Sequence, residues 1–68
     1  MKEFNFEESK NGKSVCTRSG NNVEILKWNA RGKYPIIGII NLDDEDIEMS
    51  WTKEGKTAEY VNDLVMIT

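Results

Sequence analysis

The chain has 68 residues, with nine Lys or Arg and twelve Asp or Glu, which gives a net charge of −3. We expect a chain of this length to form one domain over residues 1–68, with few apolar side chains left to line a deep substrate pocket. It has no His and one Cys, and its longest apolar run is far shorter than the roughly 18 residues of a membrane span. These features exclude a disulfide within the chain, a membrane-spanning helix and a generally basic surface for nucleic acid.

The N-terminal segment predicts a short helix rather than a secretion signal. Asn5 begins a capping box and Gly12 supplies a stop, so the pattern predicts a helix of one to two turns over residues 5–11. The first eight residues carry three acids and lack the apolar stretch of a signal peptide. We therefore expect a cytoplasmic protein whose helix is held in place by Phe4 or Phe6 docking on the core.

The rest of the chain predicts five short strands. Apolar or alternating residues separated by turn residues occupy 15–18, 23–28, 36–42, 47–52 and 60–67. Within the second strand, alternation places Val23 and Ile25 on one face. Leu26 and Trp28 then lie on the other face. The third strand is apolar on both faces, which is typical of a central strand, and Gly38 predicts a bulge or a bend within it.

Strand spacing favours a small barrel. Five strands at about ten-residue spacing are typical of an antiparallel, mainly β domain. A curled barrel would close most of the strand edges of so short a chain. We therefore predict a five-stranded SH3-like barrel with a short N-terminal helix, and an OB-like barrel is the alternative because spacing does not reveal strand order. The C-terminal strand is expected to close the sheet with Leu64 and Met66 on its inner face.

Several short motifs, in this order, resemble those of a family of small uncharacterised proteins. The motifs are Val15-Cys16-Thr17-Arg18 with Gly20, Tyr34-Pro35-Ile36 with Gly38, Trp51-Thr52 with Gly55-Lys56, and Asp63-Leu64 with Met66. The family is found in gut bacteria of the Bacteroides type and in bacteriophages, and the resemblance covers residues 5–66. Ser19 stands where Asp is common and Trp51 where Tyr is common. The resemblance implies a phage or mobile-element setting, no established activity and no catalytic residue.

Neither the cysteine nor the acidic run predicts a catalytic or metal site. Cysteine nucleophiles normally need a His as base, and this chain has none, so we interpret Cys16 as a small buried residue. The acidic residues 43–46 lack the spacing and the glycine of a calcium loop, and we interpret them as a solvated turn. We therefore expect no enzymatic activity, no cofactor and no metal.

A cluster of aromatic and basic residues around the loop 29–35 is the best candidate site. The predicted face of Trp28 would form an exposed apolar patch, which is typical of interaction surfaces. The candidate partner-binding residues are Trp28, Tyr34, Leu26, Arg31 and Lys33. They predict a protein-interaction module, and the net negative charge favours a basic partner. The alternative is that Trp28 covers an open end of the core.

Two other functions stay open. The aromatic and basic cluster, together with Lys27, predicts weak binding of single-stranded nucleic acid. The apolar strand 36–42 or the C-terminal edge predicts self-association into a homo-oligomer. A salt titration separates nucleic acid from protein as partner, because phosphate contacts weaken steeply with salt. No membrane partner is expected.

Overall fold

The computed structural model describes residues 2–67 and shows a mainly β fold. The strands are β1 (Lys2–Glu3), β2 (Val15–Thr17), β3 (Asn22–Lys27), β4 (Ile36–Asn41), β5 (Asp46–Trp51) and β6 (Leu64–Met66). The helices are α1 (Phe6–Lys10) and a 3₁₀-helix (Tyr60–Asn62). All strand pairs are antiparallel and form one six-stranded sheet in the order β1-β6-β2-β3-β4-β5. The predicted antiparallel, mainly β architecture is therefore confirmed.

The sheet is open, and it has one strand more than predicted. β1 is two residues long and both residues are charged, so no alternation in the sequence marks it. It forms because Lys2 and Glu3 pair with Met66 and Val65 of β6. Between residues 2 and 67, no strand pairing joins β1 to β5, so these two strands are the edges of the sheet.

Helix α1 is shorter than predicted but ends where the sequence indicates. The side-chain oxygen of Asn5 accepts a hydrogen bond from the backbone N–H of Glu8 at 2.9 Å. At the other end, Gly12 has a φ of 102° and the N–H of Lys13 donates to the Glu8 carbonyl at 3.1 Å, as in a Schellman motif. A helix of five residues is unstable alone. Its position therefore depends on Phe6, which packs against the core.

The core is a cluster of buried apolar side chains from four strands. Its members are Val15, Ile36, Ile40, Trp51, Leu64 and Met66. Leu64 and Met66 are both buried, which confirms their predicted place on the inner face. Trp51 and Ile36 are fully buried and lie opposite each other in β5 and β4. The alternation predicted for the strand that ends near Trp51 is thus confirmed.

The C-terminal segment differs from the predicted continuous strand over 60–67. Tyr60–Asn62 form the 3₁₀-helix, and β6 begins at Leu64. Tyr60 and Val61 are exposed. The indole N–H of Trp51 donates to the Asn62 carbonyl at 2.8 Å, so a buried core residue holds this helix in place.

The irregularity predicted at Gly38 lies on the neighbouring strand. Ile25 pairs with Gly38, and Lys27 pairs with the adjacent Ile37. Leu26 is therefore an additional residue that forms a β-bulge in β3. The predicted bulge therefore lies on the partner strand β3, to which the extra residue belongs, and the alternative of a bend at Gly38 stays a prediction.

Gly38 allows β3 and β4 to approach each other closely. A Cβ atom placed on Gly38 would lie 2.5 Å from the backbone oxygen of Glu24 and 3.2 Å from the Cα of Ile25. These contacts are with backbone atoms, which cannot move away as a flexible side chain can. A larger residue would therefore push the two strands apart just before the bulge.

Neither helix in the described part of the chain has the length and apolar character needed to span a bilayer.

Candidate partner-binding groove

The bulge at Leu26 changes the face on which Trp28 lies. Simple alternation predicts Trp28 beside Leu26, on the face opposite Val23. Because Leu26 is an extra residue, the alternation after it is reversed. Trp28, the residue after Lys27, therefore lies on the inner side of the sheet and packs against the core. The predicted face of Trp28 was therefore wrong, since one inserted residue reverses the alternation after it. Trp28 is half-buried, whereas Leu26 is 56% exposed.

Phe6 of α1 contacts Trp28 directly. The two ring centroids are 6.0 Å apart and the ring planes are inclined by 85°, which is a favourable edge-to-face arrangement. The sequence predicted only that Phe6 docks on the core and did not indicate this contact. The signal that pointed to it was an aromatic side chain on an otherwise polar helix.

A groove of about 370 Å³ lies between α1 and the end of β3. It is lined by Phe6, Lys10, Leu26, Lys27, Trp28 and Asn29. The apolar part consists of two aromatic rings and Leu26. The Nζ atoms of Lys10 and Lys53 lie 5.2 and 5.4 Å from the centroid of the Phe6 ring. The site therefore combines an apolar lining with positive charge.

The other candidate residues lie on the loop beside this groove and do not line it. Arg31, Lys33 and Tyr34 are exposed, and the Nζ of Lys33 lies 6.0 Å from the Tyr34 ring centroid. The base of the loop is closed by a hydrogen bond from the Ala30 N–H to the Pro35 carbonyl at 3.0 Å. The fold thus brings Leu26 and Trp28 together with Phe6 and Lys10, which the sequence did not indicate.

A second exposed apolar cluster lies on the 3₁₀-helix. Tyr60 and Val61 are 67% and 53% exposed. The guanidinium of Arg18 lies 4.6 Å from the centroid of the Tyr60 ring and 3.4 Å from a carboxylate oxygen of Glu3. The exposed Val61 of this surface has an exposure similar to that of Leu26 in the groove.

Cys16 has the environment of a buried residue rather than a reactive one. Its side chain is buried in β2, where it lies opposite Val65 of β6, which confirms the interpretation from sequence. Burial raises the pKa of the Cys16 thiol above its ordinary value of 9.0. Reactive cysteines have a lowered pKa, because the thiolate is the nucleophile.

The acidic residues 43–46 are all exposed. The turn that they form is closed by a hydrogen bond from the Leu42 N–H to the Glu45 carbonyl at 2.9 Å. Across residues 2–67, no group of three or more His, Cys, Asp or Glu side chains is placed to hold a metal ion. These exposed acidic residues form the turn between β4 and β5, as the sequence predicted.

Comparisons with known proteins identify a phage family. No curated protein and no solved structure gives a significant match to the chain. The family model of Haemophilus phage HP1 protein YO09 matches residues 1–67. The phage association inferred from the motifs is thus confirmed, whereas the distribution in Bacteroides-type gut bacteria stays a prediction. The chain belongs to the family of Haemophilus phage HP1 protein YO09.

Proposed function

We propose that this member of a phage family is a non-enzymatic protein-interaction module, acting in the cytoplasm, whose binding site is the groove between α1 and β3. The observation that carries the proposal is that exposed Leu26 lines one concave site together with half-buried Trp28 and Phe6, with Lys10 and Lys27 in the same lining. Apolar side chains in a depression with charged residues around them are typical of compact protein interfaces. Tyr34, Arg31 and Lys33, on the adjacent loop, would extend the contact.

The local charge of the groove favours an acidic partner segment. The net charge of −3 averages over the whole chain, whereas Lys10 and Lys27 line the groove itself and no Asp or Glu does. Lys53 also lies over the Phe6 ring, but it lines a neighbouring depression that contains three glutamates, so it is not counted toward the charge of the groove. We propose that the partner inserts an apolar anchor residue flanked by Asp or Glu, because opposite charges around a buried anchor guide docking.

We also propose that the sheet is an SH3-like barrel with incomplete pairing, rather than an OB-like one. In SH3-like barrels the last strand returns beside the first strand of a four-stranded meander, after a 3₁₀-helix. Here β2 to β5 follow one another in the sheet, and β6 lies beside β2 after the 3₁₀-helix at Tyr60–Asn62. An OB-like barrel requires a different strand order, so the order in this sheet supports the SH3-like alternative.

Single-stranded nucleic acid is the second candidate ligand. The support for it is that lysines surround an aromatic ring, as in sites where bases stack and phosphates are neutralised. However, Phe6 and Trp28 contact each other edge to face and Trp28 is half-buried. This arrangement leaves less free ring surface for a base than for an inserted aliphatic side chain, so we favour the protein partner.

The test compares two apolar side chains of similar exposure. Leu26 in the groove is 56% exposed and Val61 on the 3₁₀-helix is 53% exposed. A random peptide display library is selected on the immobilised wild-type protein, and we expect enriched peptides to carry Leu or an aromatic residue flanked by Asp or Glu. Leu26→Ser should weaken the selected peptide about tenfold or more, as for a central interface residue. Val61→Ser should leave the affinity unchanged.

Three outcomes would count against the groove. These are no enrichment at all, enriched peptides without acidic residues, and equal loss of affinity in the two variants. A fluorescent oligonucleotide of ten thymidines is titrated in parallel at several salt concentrations. Oligonucleotide binding that depends on Leu26 and weakens steeply with salt would make nucleic acid, rather than a protein, the favoured ligand of the groove.

A further inference from the structure

The free edge of β5 is a second surface, separate from the groove. In the described range 2–67, β5 pairs only with β4, so one side of this six-residue strand has backbone N–H and C=O groups without a strand partner. The other edge strand, β1, has two residues. β4 and β6, on which self-association was predicted, have neighbours on both sides and offer no free edge. A long unprotected edge is a template for an added strand.

The side chains of β5 alternate between acidic and apolar. Asp46 and Glu48 are exposed, while Ile47 and Met49 are half-buried. The acidic residues 43–45 of the preceding turn are exposed as well. No Lys or Arg occurs in β4, in β5 or in the turn between them. The edge therefore combines unpaired backbone groups, apolar positions and uncompensated negative charge.

We propose that the β5 edge binds an extended segment of another protein in which basic and apolar residues alternate. An added strand would satisfy the free backbone groups, and its alternate side chains would provide specificity. Lys or Arg of the segment would lie beside Asp46 and Glu48. The residues between them would cover Ile47 and Met49. Six residues of β5 correspond to about 20 Å of extended chain.

A pocket beside the edge provides room for one side chain of the segment. It has a volume of about 270 Å³ and is lined by Ile37, Glu48, Met49 and Ser50. Both apolar and acidic groups face it. This lining suits the long side chain of Lys or Arg, whose methylene groups pack on apolar surface while the charged end meets a carboxylate.

The charges disfavour a second copy of the chain as the occupant. Antiparallel pairing of β5 with β5 of another copy, centred on Glu48, would bring the two Glu48 carboxylates next to each other, and parallel pairing would align Asp46, Glu48 and residues 43–45 of both copies. Like charges across a strand pair are destabilising. A basic segment gains electrostatic attraction at the same positions, so it is the occupant to which the surface is complementary.

The test uses the fluorescent peptide acetyl-Lys-Val-Lys-Val-Lys-Val-amide and its rearranged form Lys-Lys-Lys-Val-Val-Val. Both have the same charge and composition, but only the first alternates. We expect the alternating peptide to bind at least about tenfold more tightly in fluorescence anisotropy at low salt, because only its side chains match both faces of β5.

Two charge-reversal variants locate the binding site. Ile39 of β4 pairs with Glu48 of β5 on one side and with Glu24 of β3 on the other. Glu48 is therefore on the edge strand, and Glu24 is on an inner strand. Glu48→Lys should weaken the alternating peptide about tenfold, and Glu24→Lys should have little effect. Circular dichroism confirms folding, and Glu48→Gln, with a smaller expected loss, replaces the Lys variant if that variant is unfolded.

Several results would overturn the proposal. Equal affinity for both peptides, or equal losses in the two charge variants, would show unspecific charge attraction. Light scattering that finds a dimer disrupted by Glu48→Lys would make a second copy the occupant. Leu26→Ser should not affect this peptide, so loss of binding in that variant would move the peptide to the groove. The groove proposal itself is tested by different peptides and is unaffected by failure at β5.

Discussion

Trp51 ends β5 and Trp28 directly follows β3, and these are the two strands that flank β4. Trp51 ends β5 opposite Ile36, is fully buried and donates its indole N–H to the Asn62 carbonyl. Trp28 follows the bulge in β3, is half-buried and contacts Phe6 edge to face. One tryptophan is therefore enclosed by the sheet, and the other lies where the core meets the groove.

The difference shows that backbone geometry decides how deeply each of two identical side chains is buried. Trp51 lies on a regular strand, so its alternation with Ser50 is enough to predict burial. Trp28 lies beyond an inserted residue, and its partner Phe6 comes from a helix distant in the sequence. Half-burial gives Trp28 a contact with the core and leaves part of its ring exposed to solvent. The following predictions test this contrast.

Replacing the two tryptophans should have the largest and most unequal effects. Trp51→Ala should lower the free energy of unfolding by about 3–5 kcal/mol, since it removes a fully buried ring. Domains of this size have a total stability of about 3–10 kcal/mol, so the variant should be largely unfolded. Trp28→Ala should cost about half as much because the ring is half-buried. Urea unfolding followed by circular dichroism measures both, and equal losses would contradict the contrast.

Removing the helix cap should affect the surroundings of Trp28 selectively. Asn5→Ala removes the acceptor for the Glu8 N–H and should cost about 1 kcal/mol. Loosening of α1 moves Phe6 relative to Trp28, so the fluorescence of Trp28 should shift. In a Trp28→Phe background, where Trp51 is the only tryptophan, the tryptophan emission should not change. Asn5→Asp retains a capping oxygen and should resemble the wild type, whereas a shift in the emission of Trp51 would argue against a local effect.

The smallest expected effect is on the pH dependence of stability, and its cause is the buried thiol of Cys16. Burial raises the pKa of the Cys16 thiol above 9.0, so the folded state favours the protonated thiol. The resulting stabilisation is complete below pH 9.0 and is lost as the pH rises towards the folded-state pKa, because the unfolded chain releases its proton first. Urea midpoints should therefore fall more steeply at alkaline pH in the wild type than in Cys16→Ala. Parallel pH profiles of the two proteins would contradict this.

Local physical chemistry made much of the fold predictable. The caps of α1 at Asn5 and Gly12 depend on hydrogen bonds within a few residues. The strand β4 was predictable because a strand buried on both faces is apolar throughout. The strand β5 was predictable because a strand buried on one face alternates between apolar and polar residues. The burial of Cys16 was predictable from its residue type, because free cysteines are commonly buried. At the candidate site, sequence alone named Leu26 and Trp28, which both line the groove, but it placed Trp28 on the wrong face.

The remaining features depend on residues that are distant in the sequence. The strand β1 exists only because β6 offers a partner, and its two charged residues have no strand signal of their own. The bulge at Leu26 arises where β3 passes Gly38 of β4, and it reverses the face of Trp28. The sequence by itself determined which segments are apolar, alternating or turning. Only the tertiary structure decided how the strands register and which edge stays open, because pairing is a relation between segments that no single segment encodes.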